Sequence, residues 1–392
     1  MSPAAAYDVI VVGGRCAGAP LAMLLARRGR SVLLLERARM PSDALSTHWI
    51  RGPGVRFLHD WGLLDRLLAT GCPPLRQVTL DFEGRRLRGC PFATVAPRRA
   101  VLDELLWEAA REAGADVHDR TGVRELLRDG DRVIGVRATS GGRELTARAQ
   151  LVVGADGCRS AVARHAGADV LDDRGVLART TYDYWSGCAD SGLRVRFRGR
   201  RAVSEWPTHD GLTVAALVFP IDEPRPPGRD GLVEHYLAGL REISGLPRGA
   251  TRCGPIRTAA VRNLRRRAHG PGWALAGDAG QHKDPVSAQG ISDAFADAAA
   301  LSATADAALR GELPMDEATA RYAAERDAER LEAFEDTCRQ AQLHPPDEEF
   351  HRQVREAGAT PEAALAFLNG FVGATSPGGA APGSGLPGRV SA

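Results

Sequence analysis

Residues 7–36, YDVIVVGGRCAGAPLAMLLARRGRSVLLLE, constrain the fold more than any other part of the chain. YDVIVV is a short, β-branched apolar run that flows straight into a glycine turn, as a buried parallel strand does. APLAMLLARRG carries apolar residues at helical spacing and stops at Gly29, and SVLLLE is a second buried strand ending at Glu36. Strand, glycine turn, helix, strand is a βαβ unit, so the chain is expected to be α/β.

The turn has the register Gly13-x-Arg15-x-x-Gly18. Gly13 suits a tight turn and Gly18 suits close packing of helix on strand. A helix N-terminus offers unpaired N–H groups and partial positive charge, which attract phosphate. Glu36 stands about twenty residues on, where an acid can accept from both hydroxyls of a ribose. These features point to a dinucleotide site, with Gly13, Arg15, Ala17, Gly18, Glu36 and Arg37 as candidate contacts; the plainer reading is a helix start built from small residues for packing. Arg15 stands where the middle glycine of such a turn belongs. A cation is unfavourable at a helix N-terminus unless an anion shares the site. Arg15 therefore either meets a phosphate or turns outward into water.

At 392 residues the chain is long for one core, so a large domain with a smaller companion is expected. The formal net charge of +2 argues against nucleic acid or an anionic membrane as partner. The seven cysteines are odd in number, scattered and without a CxxC pair, which argues against a disulfide framework or a zinc site and fits the cytoplasm. MSPAAAYDVIVV lacks a basic n-region and no stretch approaches the length of a membrane span.

Farther along, RRAVLDELLWEAAREAGADV is an amphipathic helix with Leu102, Leu105, Leu106 and Ala109 on one face, feeding a strand. TGVRELLRDGDRVIGVRAT reads as a small hairpin and AQLVVGADG as a buried strand running into Asp156-Gly157. From about Leu171 to Arg267 shorter alternating runs predict a mostly antiparallel sheet. GWALAGDAG returns to a buried strand, followed by Asp284-Pro285, Gly290 and a long Ala-rich helix from about Pro285 to Leu309. The charge-laced segment beginning at Met315 predicts a surface helix. The expected division is a discontinuous nucleotide domain (1–75, 98–170, 268–312), a substrate domain (76–97, 171–267), a C-terminal helical region (313–372) and a disordered Gly/Pro/Ser tail (373–392).

The glycine turn, Arg99 in RRAVL, Asp156-Gly157 and Gly277-Asp278 occur in this order over about 290 residues. The combination resembles the FAD-dependent monooxygenases of the para-hydroxybenzoate hydroxylase type and their geranylgeranyl-reductase-like relatives, up to roughly Gln340. The resemblance implies a Rossmann-like FAD domain of the glutathione-reductase type with an inserted, mainly antiparallel substrate sheet and C-terminal helices. It implies that Glu36 binds the adenosine ribose, Arg99 the FAD phosphates or ribityl chain, Val123 the adenine through its backbone, and Asp278 the ribitol. Asp156 joins the cofactor set, and Pro285, Gly290 and Ile291 line the isoalloxazine, with the helix N-terminus near Pro285 favouring anionic reduced flavin. Arg15, Gln281 (where a histidine commonly follows GDA) and Asp284-Pro285 (where hydroxylases usually have two prolines) depart from the pattern. The paired tryptophan motif of flavin halogenases is absent, which sets halogenation aside.

No second βαβ glycine turn is present, so NADPH or NADH is expected as a transient electron donor on the FAD framework. The resemblance implies O₂ as co-substrate and oxygen transfer through a C4a-hydroperoxyflavin, giving hydroxylation or epoxidation of a small aromatic or polyketide-like metabolite. The polar loop LSTHWIRGPG and the strands TTYDYWSG and SEWPTHDG supply the expected pocket residues Ser46, Thr47, Tyr184, Trp185, Trp206 and His209, with Tyr182 nearby. His48 and Arg51 are the candidate catalytic residues. A C–C dehydrogenase or reductase that inserts no oxygen, and a non-redox cyclase or binding protein with structural FAD, are the competing readings. A monomer or homodimer is expected.

Overall fold

A computed structural model describes residues 5–188, 192–224 and 226–373. The predicted tail, apart from Gly373, lies outside the described residues. The βαβ unit forms from the strand Ala5–Val12, the helix Gly18–Arg27 and the strand Val32–Leu35. Val9, Ile10 and Val11 and the whole Val32–Leu35 strand are buried, as a strand covered on both faces requires. Ala5–Val12 is the centre of a parallel set whose order is Trp273–Leu275, Arg143–Gly154, Ala5–Val12, Val32–Leu35, Asp116–His118. The helices Gly18–Arg27, Arg99–Glu112 and Gly290–Leu309 pack on this sheet through Leu21, Leu25, Leu102, Leu106, Phe295 and Leu301. The predicted hairpin forms where expected, Thr121–Asp129 pairing antiparallel with Arg132–Ser140, and its second strand also pairs with Arg143–Gly154.

The second large sheet joins residues distant in sequence. Val78–Phe82 and Arg85–Gly89 sit at one edge, followed by Leu193–Arg198, Arg201–Pro207, Thr213–Pro220 and Ala178–Ser186. All of these neighbours run antiparallel except Leu193–Arg198 against Val78–Phe82. One face carries Tyr182, Tyr184, Trp206, Val214 and Leu80, under Trp49 and the C-terminal helices Glu348–Ala357 and Pro361–Val372. The other face carries Val203, Ala215, Leu217 and Phe219 under the helix Gly228–Ile243. A three-stranded sheet of Val170–Val176, Arg262–Arg266 and Gln281–His282 joins the two halves.

Two expectations need correction. The Ala-rich helix begins at Gly290, not Pro285, because Pro285–Ser287 is an isolated 3-10 turn and Ala288 takes φ 49°, which no α-helix accommodates. The helix Met315–Ala341 is not confined to the surface: Tyr322, Ala323, Phe334 and Thr337 are buried, together with Arg326 and Arg330. The Arg330 guanidinium reaches Asp297 at 2.7 Å, so the charge pattern conceals an internal ion pair.

Candidate functional site

At the end of the first strand, Gly13 takes φ 107° and donates its N–H to the Leu35 carbonyl at 2.7 Å. A Cβ on Gly13 would lie 2.3 Å from the Ala155 carbonyl oxygen, and one on Gly18 would lie 1.8 Å from the Gly13 carbonyl oxygen. Both glycines are thus fixed by main-chain approach. The following helix has no side-chain cap and no acid in its first turn; Ala19 and Leu21 donate their N–H groups to the carbonyls of Arg15 and Ala17, and Pro20 carries none. Glu36 is buried at the end of the second strand and accepts the N–H groups of Gly14 at 2.9 Å and Ala38 at 2.8 Å. A carboxylate has about four acceptor directions, so capacity remains for ribose hydroxyls. Arg37 is exposed beside Gly122, and Val123 lies in the neighbouring strand, half-buried.

Arg99, at the start of its helix, is held by Asp103 one turn later at 2.9 Å. The Asp278 side chain is 47% accessible, yet the surrounding protein pushes its carboxyl above the usual carboxylate range against the pull of His282 and Arg99. Arg99 is close enough to act on it electrostatically. Ala17 packs at the same end, where a Cβ on Gly277 would lie 2.9 Å from that of Ala17. Gly290 is exposed, and a Cβ there would meet nothing within 4 Å, so the start of the long helix opens on free space. Pro285 and Ile291 flank it, half-buried. The glycine turn and the polar groups of Glu36, Arg99 and Asp278 are of the kind that fits FAD.

Asp156 is engaged otherwise. Its carboxylate accepts the Ser160 hydroxyl at 2.5 Å and the Ala161 N–H at 2.6 Å, starting the helix Ala161–Ala166. Its own contribution to the turn is its backbone beside Gly13. Arg15 takes neither of the two orientations expected for it. Its guanidinium reaches Asp103 at 2.5 Å and Ser42, whose hydroxyl accepts at 2.7 Å and whose carbonyl accepts at 3.3 Å.

The loop after the second strand meets the Tyr182/Tyr184 face of the large sheet. His48 takes φ 65°, is 1% exposed, and stands 2.7 Å from the Tyr184 hydroxyl through Nε2. Burial, and then Arg99, Arg257 and Arg98, push its pKa down to about 3. His48 is therefore neutral near pH 7, which suits a hydrogen-bond partner and not a proton donor. Its Nδ1 has no partner among the described residues. Ser46 accepts the His48 N–H at 3.0 Å and donates its own N–H to Tyr182 at 3.2 Å, while the Thr47 carbonyl accepts from Trp49. Arg98 and Arg257 lie over the Tyr184 ring at 5.4 and 5.0 Å and share Asp43.

Strand alternation separates the remaining aromatics. Tyr184, Val214 and Trp206 are cross-strand partners on one face, whereas Trp185 points to the other, where its indole N–H donates to the Tyr236 hydroxyl at 3.0 Å. Trp185 is thereby removed from the pocket set. His209 is pinned between the Arg98 N–H at 3.2 Å and the Thr70 hydroxyl at 2.9 Å. Arg51 donates to the carbonyls of Ser287, at 3.2 Å, and Phe371, tying the 285–287 turn to the C-terminal helix instead of presenting a catalytic group. Asp103, Ser42, Asp43, Arg98 and Arg257 were not singled out in the sequence. Asp103, four residues after Arg99 on one helix face, was the one among them with a local signal.

A glycine turn between strand and helix, with a buried acid at the end of the next strand, is the arrangement of a dinucleotide-binding α/β protein. Residues 6–336 match the FAD binding domain family, and the chain belongs to it. It is 27% identical over 327 residues to 6-methylpretetramide 4-monooxygenase of Streptomyces rimosus, covering 75% of this chain and 73% of that one. It is 26% identical over 308 residues to digeranylgeranylglycerophospholipid reductase of Methanoculleus marisnigri, covering 74% of each. The flavin-dependent brominase Bmp2 shares the fold, with a TM-score of 0.81 at 20% identity over 94% of this chain and 93% of that one. Among the described residues no helix is long and apolar enough to cross a membrane.

Proposed function

We propose that the protein is a FAD-dependent monooxygenase that draws electrons from NADPH or NADH and oxygenates a small aromatic or polyketide-like metabolite. What supports the reading is the match of residues 6–336 to the FAD binding domain family, with neutral His48 and the Arg98 and Arg257 guanidiniums gathered at Tyr184. The likeness to a monooxygenase named for 6-methylpretetramide supports the same substrate class.

When bound, FAD supplies the electron transfer and the oxygen activation. In this proposal Glu36 holds the ribose, the Gly18 helix the phosphates, and Arg99 and Asp278 the ribityl chain. The residues 285–291 border the ring, and the loop 42–51 excludes water above it. Few side chains need to move protons, consistent with the neutral state of His48.

The second reading, a reductase acting on C–C bonds, is favoured by the comparable likeness to the geranylgeranyl-lipid reductase. The test is a visible spectrum of the purified protein, followed by NAD(P)H oxidation with polycyclic phenols under air and under nitrogen. Stimulation only in air supports the monooxygenase, and equal turnover under nitrogen supports the reductase.

A further inference from the structure

Arg15 raises a problem that the FAD site leaves open. A side chain at the middle position of the turn should obstruct the pyrophosphate, because the backbone there must approach it closely. The structure removes the obstruction by swinging the guanidinium sideways. One nitrogen, Nη1, donates to Asp103 Oδ2 at 2.5 Å and to the Ser42 carbonyl at 3.3 Å, and Nη2 donates to Ser42 Oγ at 2.7 Å. Asp103 is fully buried and also accepts from Arg99, so one carboxylate faces two guanidiniums. The charge of Arg15 is thus answered within the protein.

Ser42 belongs to the irregular loop that carries Ser46, Thr47 and His48. The adjacent residue, Asp43, anchors the loop on its other side, 3.5 Å from both Arg98 and Arg257. Those two guanidiniums lie over Tyr184, which in turn bonds His48. The loop is therefore fastened at Ser42 to the dinucleotide turn and at Asp43 to the substrate sheet. A forked, planar guanidinium can hold a carboxylate and a serine together, which an ammonium on a lysine stem does poorly.

We propose that Arg15 is a positioning residue that fastens the loop 42–51 to the dinucleotide turn through Ser42 and Asp103, and that it is not a partner of the FAD phosphates. The role of the loop as a wall of the substrate site rests on the function proposed above. The fastening itself can be tested without substrate or turnover.

The experiment is hydrogen exchange, read by mass spectrometry, on FAD-loaded wild type, Arg15→Ala, Arg15→Lys and Ser42→Ala, with FAD affinity measured by flavin fluorescence at several salt concentrations. Arg15→Ala is expected to speed exchange of amides 42–51 about tenfold, with the core strand 148–154 unchanged. FAD affinity is expected to stay within about threefold of wild type, with the same salt dependence. Arg15→Lys, which keeps the charge and loses the fork, should loosen the loop nearly as much. Ser42→Ala should do so with the Asp103 contact intact, and it serves if Arg15→Ala does not fold. Unchanged loop exchange in Arg15→Ala and Ser42→Ala overturns the proposal. So does a tenfold weaker, less salt-sensitive FAD affinity that Arg15→Lys restores, since that is the behaviour of a phosphate partner. A reductase outcome in the oxygen test would overturn the function and leave this result standing.

Discussion

The Tyr184 hydroxyl lies 2.7 Å from His48 Nε2, and the two rings stack 9° from parallel with centroids 5.8 Å apart. This contact joins a loop of the nucleotide half to a strand of the large antiparallel sheet, 136 residues apart in sequence. A phenol that donates to Nε2 leaves the proton of the neutral imidazole on Nδ1, the nitrogen without a partner among the described residues.

Tyr184→Phe is expected to cost about 1 kcal/mol in urea unfolding by removing that hydrogen bond. It should also raise the KM for substrate while FAD affinity holds. Trp185→Phe, one residue along but on the opposite face, should leave KM unchanged. Equal effects of the two substitutions on KM would place the substrate elsewhere.

Removing Asp103 leaves Arg15 and Arg99 facing one another without a buried counter-charge. Asp103→Ala should therefore destabilise the protein by about 3 kcal/mol, measured by denaturant unfolding at fixed FAD concentration. Asp103→Glu should recover part of the loss, because it restores the charge one methylene out of place.

Burial raises the Asp284 carboxyl from its ordinary value to about 6. An acid whose folded pKa is raised favours folding most below its unfolded pKa, and this contribution is lost as pH rises through the folded value. Asp284→Asn keeps an acceptor for the Val286 N–H and removes the titration. Relative to wild type it should gain up to about 2 kcal/mol above pH 7, and the gain should fade toward pH 4. Thermal denaturation of both proteins across that range measures the difference.

Gly18→Ala would set a Cβ 1.8 Å from the Gly13 carbonyl, so the turn must open. FAD retention after gel filtration should fall at least about tenfold. Gly29→Ala, where nothing lies within 4 Å but φ is 78°, should lose some stability and keep its FAD.

The nucleotide half was legible in the sequence because its signals are local: Gly13, Gly18 and Glu36 fall within one βαβ unit and obey steric rules that need no tertiary context. The substrate half was less legible because its contacts are long-range. The Tyr184 partner His48 is 136 residues away, and Arg257, one of the two guanidiniums over Tyr184, comes from a different strand. Tyr184 and Trp185 could have been separated by the two-residue period of a strand, once TTYDYWS was taken as one. The true helix start at Gly290 was hidden by Pro285, which is as good a first residue for a 3-10 turn as for an α-helix.

The most direct test of the central claim is turnover under ¹⁸O₂ with NADPH or NADH and a polycyclic phenol that stimulates nicotinamide oxidation, followed by mass spectrometry of the product. A FAD-dependent monooxygenase places one ¹⁸O atom in the product for each nicotinamide oxidised. A product that gains or loses hydrogen with no ¹⁸O, formed equally well without oxygen, would contradict it.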